Sequence, residues 1–231
     1  MSLKDELEDE VQEIVSTQWN VRKGRAVPDP EDIQLGNHAS ELVATVLYAD
    51  LADSTLMVDE QTFNVAAEVY KSYLACAARI IKANGGSITA YDGDRIMAVF
   101  IGDRKNTSAA KTGLQITWAV NKIVNPALSG QYGVGAYQVR HVIGIDSSSL
   151  RAARIGVRND NDLVWVGRAA NHAAKLSSIT DNQSAVYISK TVYDAMHETV
   201  KLGGNPKRSM WTSTTFGGRN IYRSNWQWSL D

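Results

Sequence analysis

One cysteine in 231 residues, Cys76, rules out an intramolecular disulfide framework and a cysteine-rich zinc site, and it points to a reducing compartment. Charge of one sign is missing too: 24 Lys and Arg face 25 Asp and Glu, a formal net charge of −1. The chain therefore offers nucleic acid no global positive field and carries no acidic solvating tail, so an anionic ligand must be held by a few local groups. No apolar run approaches the ~18 residues of a membrane span. The opening MSLKDELEDEVQ is acidic where a secretory leader is basic and then apolar. These absences predict a soluble, cytoplasmic protein with neither nucleic acid nor membrane as a partner. What is there, 44% hydrophobic residues in a chain of this length, suffices for one substantial core with short extensions.

Leu3, Leu7, Val11, Ile14 and Val15 fall on one helical stripe with acidic residues opposite, an amphipathic helix that needs its own domain or a partner to dock on. Over residues 19–37 the pattern is lost and Pro28 and Pro30 stand two apart, which predicts an extended connector and a compact domain beginning near Ser40. Residues 42–49 are a short apolar run of β-formers ending at Asp50. Helical spacing follows over Val65, Val69, Tyr70, Tyr73, Leu74, Ala77, Ile80 and Ile81, and Asn84-Gly85-Gly86 ends it. SITAY and RIMAVF, joined through Asp92-Gly93-Asp94, form a hairpin signal that exposes two carboxylates at a strand end. A second helix spans 106–124 and is broken by Asn125-Pro126.

Residues 137–145 read as a strand; after a small-residue stretch, ARIGV and LVWV flank a polar turn at 158–162, and 168–179 read as a helix. AVYIS and KTVYDAM form a last strand and helix, and the Thr-, Gly- and Trp-rich tail suits edge strands. Strands alternating with helices around a hairpin predict an α/β (α+β) sandwich of the split βαβ kind. The limits that follow are an N-terminal helix and connector at 1–39, a compact domain at 40–200 and a β-rich extension at 201–231.

Asp50 closes an apolar strand, and Asp94 lies in the hairpin that should neighbour it. Two carboxylates at adjacent strand ends suit Mg²⁺ or Mn²⁺, hard cations that share one or two carboxylates with substrate phosphates. Taken singly, each is more readily read as a helix-capping or turn residue.

The order of the whole constellation resembles the class III nucleotidyl cyclases. Tyr48-Ala49-Asp50-Leu51-Ala52-Asp53-Ser54-Thr55 matches their strand end, Gly85-Gly86 and Gly93-Asp94-Arg95-Ile96 their hairpin, and Gly167-Arg168-Ala169-Ala170-Asn171-His172-Ala173-Ala174-Lys175-Leu176 their later helix. The resemblance covers about residues 42–192. It implies a ferredoxin-like cyclase domain, a homodimer with active sites shared between subunits, and two divalent metals per site held by Asp50, Asp94 and the carbonyl of Leu51. It also implies nucleotide contacts from Asp53, Ser54 and Thr55. Asn171 matches the asparagine that orients the ribose. Lys175 stands where purine cyclases carry a transition-state arginine, and a lysine lacks that residue's bidentate fork. Lys175, Arg154, Arg158 and Arg168 are the candidates to neutralise the α-phosphate.

Adenylate and guanylate cyclases read the purine from positions that are Ala90 and Val164 here, and neither side chain can hydrogen-bond a base edge. The segment 161–176, with Leu47-Tyr48-Ala49-Asp50-Leu51, is similar to the pyrimidine nucleotide cyclases of bacterial Pycsar antiphage defence. That resemblance implies conversion of UTP or CTP to a 3′,5′-cyclic monophosphate that activates a partner effector. UTP is favoured over CTP from overall similarity. Tyr48, Tyr91 and Trp165 would narrow a base pocket or serve as core packing, and Arg22, Arg25, Asn37 and Arg95 are candidates to read the base edge. An adenylate cyclase and a degenerate binding or dimerisation module are the alternative functions.

Overall fold

The computed structural model describes residues 2–157 and 160–231. Helix α1 (Leu3–Ser16) is closed at its start by a reciprocal capping box between Ser2 and Asp5. Most of its apolar stripe stays open to solvent: Leu3 and Val15 are each 71% exposed, and no residue of the helix is buried. A turn later the chain joins the body. Strand β1 (Asn20–Lys23) pairs in parallel with β2 (His38–Leu51), and Ile33 is buried against the sheet, so the segment read as an extended connector includes a short strand tethered to the body. The two prolines do not oppose this, because a single edge strand needs only a few unbroken residues, and NVRK precedes both of them.

A short helix α2 (Ser54–Glu60) leads to α3 (Phe63–Ala83), whose buried residues Ala66, Val69, Tyr73, Ala77, Ile80 and Ile81 keep helical spacing. The amides of Gly85 and Gly86 bond back to the Lys82 and Ile81 carbonyls and end it as predicted. Strands β3 (Ser87–Asp92) and β4 (Arg95–Phe100) form the expected hairpin. Helix α4 (Lys105–Ala119) departs from expectation at its end. Asn125-Pro126 does not break it; a π-helical turn at Val120–Val124 carries it into α5 (Asn125–Tyr132). Proline at 126 has no N–H for the carbonyl one turn back and would crowd it, and the wider turn, with the Asn125 amide on the Val120 carbonyl, absorbs both faults.

The small-residue stretch after residue 145 is also strand, since β5 runs unbroken over His141–Val157. β6 (Asp160–Val166) folds back on its second half; of the intervening turn, Arg158 and Asn159 lie outside the described residues. Helix α6 (Arg168–Ser177), β7 (Val186–Ser189), α7 (Lys190–Ala195), a small ladder of β8 (Leu202–Gly203) with β9 (Arg208–Ser209), and the hairpin of β10 (Thr212–Phe216) with β11 (Arg219–Ser224) complete the chain. The main sheet runs β10-β11-β7-β5-β2-β4-β3, and the tail does supply its edge. Within it β2, β3, β4 and β5 follow the order β5-β2-β4-β3 with α3 and α4 as crossovers, the split βαβ arrangement. No helix among the described residues is long and apolar enough to cross a membrane.

Each face of the sheet has its own core. Leu47, Ala49, Ile143 and Ile145 point to α3, α4 and the tail residue Trp211, whereas Val46, Met97, Leu150 and Ala152 meet Ala169, Ala170 and Ala173 of α6. Helix α6 lies directly on β5 at Gly144: a methyl group there would sit 2.0 Å from the Ala173 carbonyl oxygen and 2.4 Å from the Ser177 nitrogen, both backbone atoms. Gly144→Ala therefore has to lift α6 off the sheet. It is expected to cost about 1–3 kcal/mol, read as a lower urea midpoint with an unchanged denaturant slope.

Candidate active site

The pairing of Ala49 with Ile96 brings the end of β2 beside the β3–β4 turn. That turn has two residues, Gly93 at φ +59° and then Asp94, and the positive φ needed at its first position explains the glycine. Asp50 and Asp94 thereby share one region. Burial first, and then the negative charge of Asp94, pushes the Asp50 carboxyl up to about 6, with Arg95 acting against the rise. Beneath them the hydroxyl of the fully buried Tyr73 has no hydrogen-bond partner among the described residues; burial, then Asp50 and Asp94, hold its ionisation well above the usual range. Two mutually repelling carboxylates over an unpartnered hydroxyl fit a divalent cation. Among the described residues no three His, Cys, Asp or Glu side chains gather, so the donor set fits an ion that completes its shell with substrate and water oxygens, not a closed protein cage. Leu51 is the last residue of β2 and is buried, its amide bonding to the Asp50 carboxylate.

Next to the carboxylates, the Arg95 guanidinium lies over the Tyr48 ring, 5.5 Å from its centroid, and 3.4 Å from Asp92. Ala90 packs with Tyr48 on the same core cluster, just past a bulge in β3, and Tyr91 is exposed. On the other side of β2, Asp53 caps the start of α2 in the left-handed region and is held by Arg140 in an ion pair; Ser54 and Thr55 form the first turn of that helix.

Of the remaining candidates, Asn171, Lys175 and Arg168 sit on α6, Val164 and Trp165 on β6 and Arg154 on β5. Asn171 and Lys175 are both exposed, one turn apart on the same face, and no hydrogen bond or ion pair among the described residues joins either to Asp50 or Asp94. Arg168 is committed within its own chain, with Nη1 3.4 Å from Asp146 and Nη2 donating to the Ser147 carbonyl at 2.5 Å. Arg154 likewise donates to Asn161 and to the Ile33 carbonyl. Val164 lines a groove of about 700 Å³ with Ile14, Trp19, Leu35 and Val166, whereas Trp165 is buried in the α6-side core with its indole N–H unpaired among the described residues. Three proposed base readers are placed elsewhere: Asn37 ties down the end of α1 through the Ile14 and Thr17 carbonyls, Arg22 donates to the Asp32 carbonyl, and Arg25 lines a surface groove with Lys23. Arg158 lies outside the described residues.

Sequence reasoning missed Arg140, Tyr73, Asp146 and His172. A charged residue inside the apolar run HVIGID was the available signal for Asp146, and a histidine among alanines that for His172. Nothing local marked Tyr73 as different from the other apolar positions of α3.

No protein-family model matches the chain. Its fold is that of the class III nucleotide cyclases: the guanylyl cyclase Cya2 superposes with a TM-score of 0.67 over 82% of this chain and 95% of that one, at 20% identity. Sequence narrows the class. Uridylate cyclases of Xanthomonas perforans and Burkholderia cepacia are 47% and 45% identical to it, over the full length of both chains in each case. The chain belongs to the uridylate cyclase family.

The Asp50 carboxyl titrates higher in the fold than its ordinary value of 3.8, so the fold binds its proton more tightly than the unfolded chain. Its ionisation therefore weakens the fold progressively from about pH 4 to pH 6, and fully above that. In metal-free buffer Asp50→Asn should melt at a higher temperature than wild type at pH 7, and the gap should close as the pH falls towards 4. Mn²⁺ should raise the melting temperature of wild type at pH 7 and leave Asp50→Asn nearly unmoved.

Proposed function

We propose that this chain converts UTP to 3′,5′-cyclic UMP and pyrophosphate. The observation that carries the reading is the paired Asp50 and Asp94 beside an arginine stacked on a tyrosine, at a site where the neighbouring purine-reading position, Ala90, is apolar. Asp50, the Leu51 carbonyl and Asp94 would hold two Mn²⁺ or Mg²⁺ ions, which supply activation of the ribose 3′-hydroxyl and neutralisation of the triphosphate in an in-line displacement. The chain's own work is placement. Asp53, pinned by Arg140, and the first turn of α2 with Ser54 and Thr55 set the floor beneath the phosphates. Tyr48 and Arg95, with Ala90 and Trp165 on the same core cluster, would narrow the base site towards a single ring. Arg95 has only donors to offer, which suits the O4 acceptor of uracil and opposes the N4 amine of cytosine.

Asn171 and Lys175 are exposed and bonded to neither carboxylate of their own chain among the described residues, and this is consistent with a homodimer in which each α6 serves the partner's site. Asn171 would orient the ribose. Lys175, which has no ion-pair partner among the described residues, would neutralise the α-phosphate in preference to Arg168, whose guanidinium is already occupied. The exposed stripe of α1 belongs to the same assembly, with 40–200 as its catalytic unit and 201–231 closing the sheet. A cytoplasmic cyclase of this kind suits second-messenger synthesis in antiphage defence of the Pycsar type, with an effector reading the product.

Incubation of the purified protein with each of the four NTPs and Mn²⁺, with products identified by mass, should yield cyclic UMP and pyrophosphate. Exclusive cyclic AMP overturns the pyrimidine reading, and no cyclic product from any NTP turns the chain into a binding or dimerisation module. Asp50→Ala and Asp94→Ala should each lose roughly 10²-fold or more in kcat while remaining folded. A mixture of inactive Asp50→Ala and inactive Asn171→Ala protein should regain partial activity, and no recovery after verified subunit exchange counts against shared sites.

A further inference from the structure

Asp146 is a carboxylate in the middle of β5 with no solvent exposure. Its oxygens are fully engaged: Oδ1 accepts from the Ser147 amide at 2.8 Å, and Oδ2 lies 3.2 Å from His172 Nδ1 and 3.4 Å from Arg168 Nη1. Burial pushes its carboxyl up, but the bonds from His172, Ser189 and the Ser147 amide, with the Arg168 charge, outweigh it and hold it below its ordinary range. Both of its α6 partners therefore act on the same atom.

A charge at this depth costs several kcal/mol before compensation, and a well-packed apolar group of similar volume would give the fold as much stability. What the pair adds is direction. Near Asn171 the face that α6 turns to the sheet is made of Ala169, Ala170 and Ala173, which offer no large side chain to fix its rotation, and the large buried apolar side chain of the helix, Leu176, anchors its C-terminal end instead. His172 is 8% exposed, and its second ring nitrogen, Nε2, is buried with no partner among the described residues. The ring is thus oriented from one side only, by the carboxylate. Arg168 adds a bond to the Ser147 carbonyl, and the Ser148 hydroxyl receives the Ala169 amide at 3.0 Å, so the start of the helix is fixed to the same stretch of β5.

We propose that Asp146 and His172 are positioning residues of the cyclase site: by bridging β5 to α6 they set the rotation of that helix about its axis, and with it the direction in which Asn171 and Lys175 meet the nucleotide. The inference rests on the reading of α6 as the helix that supplies those two side chains. A helix turns by roughly 100° per residue, so a roll of a fraction of that step carries Asn171 out of line with a ribose.

The test uses His172→Asn, which keeps a donor near the position of Nδ1, and His172→Leu, which keeps bulk without it, with Asp146→Asn as a third variant. Each is measured as the full chain with Mn²⁺ and whichever NTP wild type cyclises. His172→Leu should lose about a hundredfold in kcat with KM little changed, His172→Asn should recover most of that loss, and Asp146→Asn should fall between. Amide hydrogen exchange over residues 168–177, read without nucleotide, should quicken in His172→Leu, return in His172→Asn, and leave residues 39–51 as in wild type. Wild-type kcat in His172→Leu, or unchanged exchange over 168–177, overturns the inference. A wild type that cyclises no NTP sinks the functional reading instead, and the exchange result then decides by itself for or against the pair as the clamp on α6.

Discussion

The pairing of β2 with β5 is the constraint on which the rest of the molecule depends. Residues 39–51 run in continuous register against 141–153, and every chemical group of the site is placed relative to that ladder. Alternation along it sends Leu47, Ala49, Ile143 and Ile145 to one face and Val46, Leu150 and Ala152 to the other. A slip of β5 by one residue would exchange its faces and drive Asp146 into the helical layer of α3 and α4. The apolar strand therefore specifies where the carboxylates go, although it contains little chemistry itself.

A chain with almost no net charge meets a highly charged triphosphate by concentrating its charges locally. Asp50 and Asp94 repel each other at one corner, Arg95 lies beside them, Arg140 pairs with Asp53, and Lys175, on a separate helix, has no ion-pair partner among the described residues. Elsewhere the charges are paired or solvated, as with Lys190 and Asp194 or Lys4 and Glu8. Such pairs contribute little to stability. The corner, by contrast, keeps an electrostatic tension that a cation relieves.

The sequence was most legible where a single local rule decides the structure. The run 42–49, the Asn84-Gly85-Gly86 stop and the Asp92-Gly93-Asp94 turn all appear as read, because strand patterning, helix termination and turn chemistry are short-range. Asp50 and Asp94 were legible as neighbours for the same reason. What escaped depends on distant partners. Residues 20–23 become a strand only because the edge of β2 is open to them, and 146–149 remain strand although serine-rich because β2 supplies hydrogen bonds along their whole length. Pro126 misled because a single π-helical turn converts a break into a bend. Arg168 reads as a free cation in a linear sequence, and only the fold shows it held by an aspartate 22 positions earlier.

The separation of β2 from β5 along the chain also sets a timetable for synthesis. Ala39 pairs with Ala153, so the central ladder cannot close until two thirds of the polypeptide has been made. At ~5–20 residues per second, β2 waits roughly 5–20 s for its main partner. During that wait α3 and the β3–β4 hairpin are already available, and β4 can cover the stretch 45–49 that carries the site strand's apolar residues. The other edge of β2 meanwhile stays open as a template for any extended segment nearby. Early folding of this cyclase is thus a race between its own hairpin and its neighbours on the polysome.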